Sequence, residues 1–377
     1  MVKVLMIHRI FPTYRKPIYD RLAAVYDYIL LHGKNDAGIQ LADTGYSRTI
    51  KAFQYTKNPT NLLLESFSTL FKFRPKAVIH ESSIGMLTIL PMYVCAKMLG
   101  AKFILYGHGY NRFNGFNPRK SWADKYRAFL MRIADAVVIY TETDKRMLSE
   151  FADSKKIFVA QNTLDATTFT PIKKRLDAEG KAAVKARLGF THKYNLTFIG
   201  RMLDEKMPDK VLEVFAILNK KLPHQIGIHF LGGGDVSHLE AVVKAKNWTY
   251  DVKFYGSVYD DAKTGAFLFA SDLMIMPGYL GLAVNHAFLF DCPVVSFSQT
   301  TEGPFHSPEI EYVKEGETGF LISELSVSMM AQKIESYLQN DDLQANMKHD
   351  IKKTMAALTP ELMVKGFTDA VDFALKK

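Results

Sequence analysis

LTFIGRMLDEKMPDKVLEVFAIL, residues 196–218, holds one complete unit of the pattern on which the fold rests. A short apolar run (195–199) ends at Gly200. Arg201 and Lys206 then stand five apart in a polar loop, and an amphipathic stretch (208–220) follows. The same alternation of apolar run and amphipathic stretch recurs along the chain, which is the sequence form of βαβ units with a parallel sheet. Upstream, strands are expected at 3–8, 28–32, 77–80, 102–106, 136–140 and 156–160, with helices such as 84–99 and 121–134 between them. The Lys-rich segment 171–187 lacks a strand and reads as a connection. Downstream, strands are expected at 195–199, 227–231, 252–255, 273–276 and 294–296, with helices at 208–220 and 282–289. The reading is α/β: two doubly wound Rossmann-like domains facing a cleft, residues 1–187 and 188–359. A closing helix, 360–377, packs back toward the first. In such sheets ligands bind outside the carboxyl ends of the strands.

At 377 residues the chain suits two domains, at about 150 residues each. Its 48% apolar and 23% charged residues exclude disordered, collagenous and coiled-coil classes. The net charge is +9, from 48 Lys+Arg and 39 Asp+Glu. It is uneven: residues 1–187 hold 30 basic and 15 acidic side chains, or +15, and the remainder holds 18 and 24, or −6. A basic half joined to an acidic half implies different partners. Cys95 and Cys292 form no C-x-x-C pair, so neither a disulfide framework nor a zinc site is expected. The first apolar run is too short for a signal peptide, and Pro91 interrupts the uncharged stretch 82–96, so a cytoplasmic protein is expected.

Four segments carry candidate chemistry. In IGRMLDEK (199–206) an Arg fork and a Lys point charge beside a helix N-terminus suit a diphosphate, a solvated charge pair being the other reading. HFLGGGDVSHLE (229–240) has three glycines between strand and helix but not the G-x-G-x-x-G spacing, so a strand-to-helix turn is favoured. VKFYGSV (252–258) places a glycine at another strand end. In PGYLGLAVNHAFLFDCPVVS (277–296), Gly278 and Gly281 bracket a turn that opens a helix and aims N–H groups at a phosphate. His286 in that helix faces either the ligand of the turn or the core. His108, between Gly107 and Gly109 in ILYGHGYNRF (104–113), could donate a hydrogen bond to a substrate hydroxyl or phosphate, or be a plain loop residue.

Together these segments resemble the GT-B glycosyltransferases of family GT4. ADAVVIYTETDKRMLSEF with KIFVAQNTLDATTFTP (134–151 and 156–171) resembles the end of that family's N-terminal domain. Residues 196–218 resemble the opening of its donor domain, and GGGD, VKFYGSV, ASDLMIMPG and PEIEYVKEGETGFLI (308–322) follow in the family's order. The resemblance implies a retaining, metal-independent transfer of a hexosyl or N-acetylhexosaminyl group from a nucleotide-diphosphate-sugar. Arg201 and Lys206 would hold the diphosphate and, with His108 near the transferred sugar, form the catalytic set. Gly200, Val258 near the base, and Gly278, Tyr279, Leu280, Gly281 and Leu282 would complete the donor site. The family's paired glutamates fall here on Gly278 and His286, which marks a divergent subgroup. His286 could still meet the ribose, and Glu309 or Glu302 could supply the missing carboxylate. No metal and no cofactor are expected, and no D-x-D triplet occurs.

The acceptor is expected on the basic half, where Tyr14, Arg15 and Lys16 follow the first strand together with Arg9, and His108 follows a later one. Leu62, Leu63, Phe67, Leu70 and Phe71 repeat at helical spacing before Lys72, Arg74 and Lys76. Trp122, Tyr126, Phe129 and Ile133 do likewise among Lys120, Lys125, Arg127 and Arg132. Such stripes either face the core or lie on an anionic membrane surface. With the charge split they point to the inner face of a membrane and to a glycan or lipid-diphosphate-linked acceptor in bacterial cell-surface polysaccharide synthesis. Nucleic acid is not expected as a partner, since no motif supports it. A sugar-nucleotide epimerase and a degenerate nucleotide-sugar-binding protein are the alternatives.

Overall fold

The computed structural model describes residues 1–33, 41–51, 53–54 and 61–376. The chain divides into two compact units, Met1–Asp165 with Leu358–Lys377 and Ala166–Ala357.

The first unit is built on a seven-stranded parallel sheet. Its elements run β1 (Lys3–His8), α1 (Lys16–Val25), β2 (Asp27–His32), β3 (Ser47–Thr49), then a small two-stranded ladder of β4 (Phe53–Gln54) and β5 (Asn61–Leu62). There follow α2 (Glu65–Phe73), β6 (Ala77–Glu81), α3 (Ile89–Met98), β7 (Lys102–Tyr106), α4 (Trp122–Ile133), β8 (Ala136–Ile139), α5 (Glu142–Leu148) and β9 (Ile157–Val159). The sheet order is β3-β2-β1-β6-β7-β8-β9. Val4–Ile7 are fully buried because helices cover both faces, as a central parallel strand requires. Successive residues of β1 feed opposite layers. Val4 and Met6 pack with Ile18 and Leu22 of α1, whereas Leu5 and Ile7 join Leu70, Met92 and Met131 of α2, α3 and α4.

The second unit runs α6 (Ala166–Glu179), α7 (Lys181–Leu188), β10 (Tyr194–Ile199), α8 (Pro208–Lys221), β11 (Ile226–Leu231), α9 (Ser237–Ala245), β12 (Val252–Phe254), α10 (Asp261–Ala270) and β13 (Leu273–Ile275). It closes with α11 (Ala283–Leu289), β14 (Val294–Phe297), β15 (Gly319–Ile322), α12 (Val327–Leu338) and α13 (Asp341–Ala356). All pairings of its six-stranded sheet, β12-β11-β10-β13-β14-β15, are parallel. The last helix, α14 (Pro360–Lys376), belongs to the first unit, where Met363, Phe367 and Val371 sit in the layer of α1. Gly366 lets it lie against β9, since a Cβ there would stand 2.4 Å from the Val159 carbonyl oxygen.

The domain boundary expected at residue 187 is corrected to Asp165/Ala166. Segment 171–187 is no free connection but most of α6 and α7. Two of its lysines, Lys181 and Lys185, reach Asp272 at 2.7 and 3.2 Å, binding α7 to the start of β13. Counted over the true units the charge becomes +11 (27 basic, 16 acidic) and −2 (21 and 23). The asymmetry narrows but keeps its sign. The helix expected at 84–99 starts at Ile89, after a turn around Gly85.

In each sheet the strand order reverses once, between β1 and β6 in the first and between β10 and β13 in the second. In open α/β sheets such reversals, outside the carboxyl ends of the strands, are where ligands bind.

Candidate functional site

At the second unit's reversal, three neighbouring strands end in glycine: Gly200 after β10, Gly232 after β11 and Gly256 beyond β12. Gly232 N–H donates to the Gly256 carbonyl at 2.8 Å and Met202 N–H to that of Gly233 at 2.9 Å. A Cβ on Gly232 would fall 1.8 Å from the Gly200 carbonyl oxygen, so the GGGD glycines serve backbone-to-backbone contact. Ser257 packs on Gly233, and Val258 follows it, half-buried, in the same loop.

Across the reversal lies the turn after β13. Gly278 N–H donates to the Lys206 carbonyl (3.1 Å) and Tyr279 N–H to that of Glu205 (2.7 Å), which joins the two loops rung by rung. A Cβ at 278 would stand 2.2 Å from the Glu205 oxygen and 2.5 Å from the Lys206 carbonyl carbon. That contact leaves room for glycine at this position and for no side chain. Lys206 lays its stem over Gly200, and its Nζ donates to the Tyr279 carbonyl at 3.1 Å. Burial pulls the pKa of this amine down; Glu205 opposes the shift and Arg201 adds to it. Arg201 is exposed and has no side-chain partner among the described residues. One half-buried and one free cation thus stand together at a strand end, an arrangement that an incoming dianion would stabilise.

The turn is held from its other side by residues that sequence reasoning missed. Leu280 N–H donates to Nδ1 of the fully buried His306 (3.1 Å), whose Nε2 lies 3.0 Å from the Phe297 carbonyl oxygen. Ser307 N–H donates to the Leu280 carbonyl at 2.9 Å, and its hydroxyl meets the Tyr279 hydroxyl. Beyond the staple, the N–H groups of Gly281, Leu282 and Ala283 have no acceptor among the described residues. Glu309 is buried on the short 3₁₀ turn that begins just after Ser307, whereas Glu302 is exposed. Of the two carboxylates considered from the sequence, only Glu309 lies beside the turn and α11. His286 is half-buried and meets the ring of Phe169 edge-on at 5.2 Å, and burial lowers its pKa.

The first unit's reversal gathers a different set. Arg15 lies on a short 3₁₀ turn after β1 and is 6% exposed. Its guanidinium lies 5.6 Å from the Tyr14 ring and 5.7 Å from that of Tyr140, and Nη1 donates to the Met363 sulfur at 3.3 Å. Tyr14 itself is exposed, and Lys16 is committed to Asp20 (2.7 Å) on the outside of α1. Arg15, not Lys16, thus shares the Tyr140 ring with His108. The imidazole of His108 packs on Tyr140 at 4.8 Å. Burial, with Arg112 beside it, brings its pKa down to about 4. The flanking Gly107 and Gly109 have φ of 145° and 73°, and press the loop onto Ser82 and Leu148 where a Cβ would collide. Asp144 of α5 fastens the far end by accepting from Tyr110 Oη (2.9 Å) and Arg112 Nη1 (3.1 Å). Glu81, at the end of β6, accepts from Arg9 N–H at 2.6 Å and lies 3.1 Å from His8 Nδ1. Among the described residues no group of His, Cys, Asp and Glu is arranged to hold a metal ion, and no helix is long and apolar enough to cross a membrane.

Two parallel α/β sheets, one in each unit, make up the GT-B fold of glycosyltransferases. Residues 181–354, most of the second unit, match the family model described as glycosyl transferases group 1. The chain is similar to the D-inositol 3-phosphate glycosyltransferase of Streptomyces scabiei, 26% identical over 232 residues that make up 58% of this chain and 49% of that protein. The match thus spans about half the length of that curated relative. Among solved structures, a glycosyltransferase from Rickettsia africae superposes with TM-score 0.71 at 15% identity, covering 100% of this chain and 99% of its own. Anabaena Alr3699/HepE, solved in complex with UDP and glucose, superposes with TM-score 0.67 at 13% identity over 99% and 100% of the two chains.

Proposed function

We propose that the protein is a retaining glycosyltransferase that moves a hexosyl or N-acetylhexosaminyl group from a nucleotide-diphosphate-sugar to a hydroxyl of a glycan acceptor. The observation that carries it is the cation pair Arg201 and Lys206 at the end of β10, locked to the Gly278–Leu282 turn by paired backbone hydrogen bonds. The acceptor oxygen bonds to the anomeric carbon as the bond from that carbon to the diphosphate breaks, and the acceptor proton passes to the departing phosphate oxygen. Arg201, Lys206 and the unbonded amides of the turn take up the negative charge as it develops on the leaving group. Charge is met by protein cations and N–H groups, so the reaction needs no divalent metal. Glu309 stands in for the family's carboxylate, and Val258 and His286 face the nucleoside.

We place the enzyme on the cytoplasmic face of a membrane in cell-surface polysaccharide synthesis, with a lipid-linked acceptor. Support comes from α2, α3 and α4, which cover one face of the first sheet yet leave Phe71, Met98, Trp122 and Phe129 exposed. Lys72, Lys120 and Lys125 are exposed on the same helices or at their starts. Trp122, 77% exposed, stacks flat on Tyr126 at 5.9 Å, so this aromatic stripe does not belong wholly to the core. Leu62, the first residue of the other stripe, has its side chain outside the described residues.

Arg201→Ala and Lys206→Ala should each lower kcat/KM for transfer or donor hydrolysis by about 10²-fold. Full activity in both variants would show the donor-site reading to be wrong. A degenerate sugar-nucleotide-binding protein is the second reading, favoured by Gly278 and His286 at the glutamate positions. Nucleotide-sugar binding with no turnover over a broad acceptor panel would decide for it.

A further inference from the structure

The chain pairs its other partly buried arginines with carboxylates. Arg112 meets Asp144 at 3.1 Å, Arg127 meets Asp124, and Arg21 meets Asp165 and Glu361 at 3.1 and 2.9 Å. Arg15 is the exception among the described residues. It is the most buried of these guanidinium groups and has no carboxylate partner, only a thioether and the faces of tyrosine rings. A thioether is a weak acceptor, and ring faces offset only part of the cost of burying a charge.

Two further orphans surround it. Tyr19 Oη and His108 Nδ1 are buried and make no hydrogen bond. Arg15 acts electrostatically on both groups, and the Tyr140 ring lies against both Arg15 and His108. Native proteins rarely leave buried polar groups unpaired, and a cluster of them calls for a missing partner. The three groups can all donate: a guanidinium, a phenol O–H and an imidazole N–H. What complements three donors, one of them permanently charged, is an acceptor-only group with negative charge. The neighbouring anion, Glu81, is already taken up by Arg9 N–H and His8.

We propose that Arg15, Tyr19 and His108 bind an oxyanion, a phosphate or carboxylate group, carried by the acceptor. The inference rests on the reading of the first unit as the acceptor side. It narrows that side to substrates with a fixed negative charge close to the hydroxyl that receives the sugar.

The test uses the full chain carrying Arg201→Ala and Lys206→Ala, so that phosphate has no donor site to fill. Melting is followed against inorganic phosphate in one arm and glucuronate in the other, with potassium chloride at matched ionic strength. A saturable rise of roughly 3 °C per tenfold excess over Kd is expected in at least one arm, and the responding arm identifies the acid. Arg15→Met keeps the volume without the charge and Tyr19→Phe removes one oxygen; on the same background each should abolish or sharply weaken the response. In anion-free buffer both variants should melt at or above the parent temperature, because each removes an unpaired buried polar group. Three results would overturn the proposal: no response in either arm, a response unchanged in Tyr19→Phe, or an Arg15→Met protein that melts well below the parent without anion. Those outcomes leave the transferase reading intact, which fails separately if Arg201 and Lys206 prove dispensable for sugar transfer.

Discussion

Placing a side chain at residue 278 should damage the candidate site from within. A Cβ added there lies 2.2 Å from the Glu205 carbonyl oxygen, where real contacts do not fall under 3.0 Å, so one of the two loops must retreat by about 0.8 Å. The atoms in the way are backbone and cannot swing aside as a side chain would. Retreat weakens the hydrogen bonds from Gly278 and Tyr279 N–H to the Lys206 and Glu205 carbonyls, each contributing about 0.5–1.5 kcal/mol. Overpacking adds about 1–3 kcal/mol. Gly278→Ala should therefore cost about 2–5 kcal/mol, or a fall in Tm on the order of 5–15 °C for a unit of this size. It also shifts Lys206 against its partner loop, and misplacement on the order of an ångström can cost about 10²-fold in rate. Gly281→Ala is the control: its Cβ would meet nothing nearer than 3.6 Å, and it should melt within about 1 °C of the parent. Calorimetry gives the melting, and titration with UDP and GDP gives the nucleotide affinity. If Gly278→Ala melts and binds like the parent, or if Gly278→Glu gains activity by restoring the family's residue, the steric account of this position is refuted.

Acid should destabilise the second unit through His229. Burial holds its pKa down to about 3, while Nε2 lies 3.0 Å from Asn195 Oδ1 and Nδ1 lies 3.1 Å from Tyr255 Oη. The unfolded chain takes up this proton below its ordinary value near 6.5 and the folded chain does not, so stability is complete above pH 6.5 and falls as pH drops toward 3. The loss is on the order of 4 kcal/mol, and His229→Phe should flatten that acid limb in pH-dependent unfolding. Asp272→Asn leaves Lys181 and Lys185 without their carboxylate and should cost about 3 kcal/mol in denaturant titration. An unchanged midpoint would mean that α7 is held by its apolar contacts alone. Trp122→Ala with Phe129→Ala should reduce flotation with anionic liposomes more than it reduces catalysis on a soluble acceptor, and raised salt should act in the same direction. Salt-insensitive flotation would count against a basic docking face.

Much of the frame could be read before any coordinates. The strand expected at 3–8 is β1 itself, and 102–106 is β7, because fully buried parallel strands write themselves as unbroken apolar runs. β3 at Ser47–Thr49 and β15 at Gly319–Ile322 escaped, the first being a short polar edge strand and the second lying at the other sheet's margin. In the site, Arg201, Lys206 and the Gly278–Leu282 turn were legible from spacing after a strand. The staple formed by His306 and Ser307 was not, since their partners in the turn lie more than twenty residues away and no local period marks them. Segment 171–187 looked like a connection for the same reason: the carboxylate that Lys181 and Lys185 reach is 91 and 87 residues off. The three donors at Arg15, Tyr19 and His108 come from a turn, a helix and a distant loop, and only the strand reversal gathers them.

The second unit is one unbroken stretch of chain, whereas the first is assembled from both ends of the polypeptide. Thr163 donates to the Leu358 carbonyl at 2.8 Å, so the two chain passages between units lie side by side. The gene therefore has the form of a host with an insert. A fragment of the second unit would therefore run from Ala166 to Ala357, and a short linker from Asp165 to Leu358 would close the first. Cutting off the final twenty residues, by contrast, would strip one face of the first unit's sheet while leaving the second unit's chain whole. A ribosome, likewise, releases the second unit complete before the first has the helix that finishes its core.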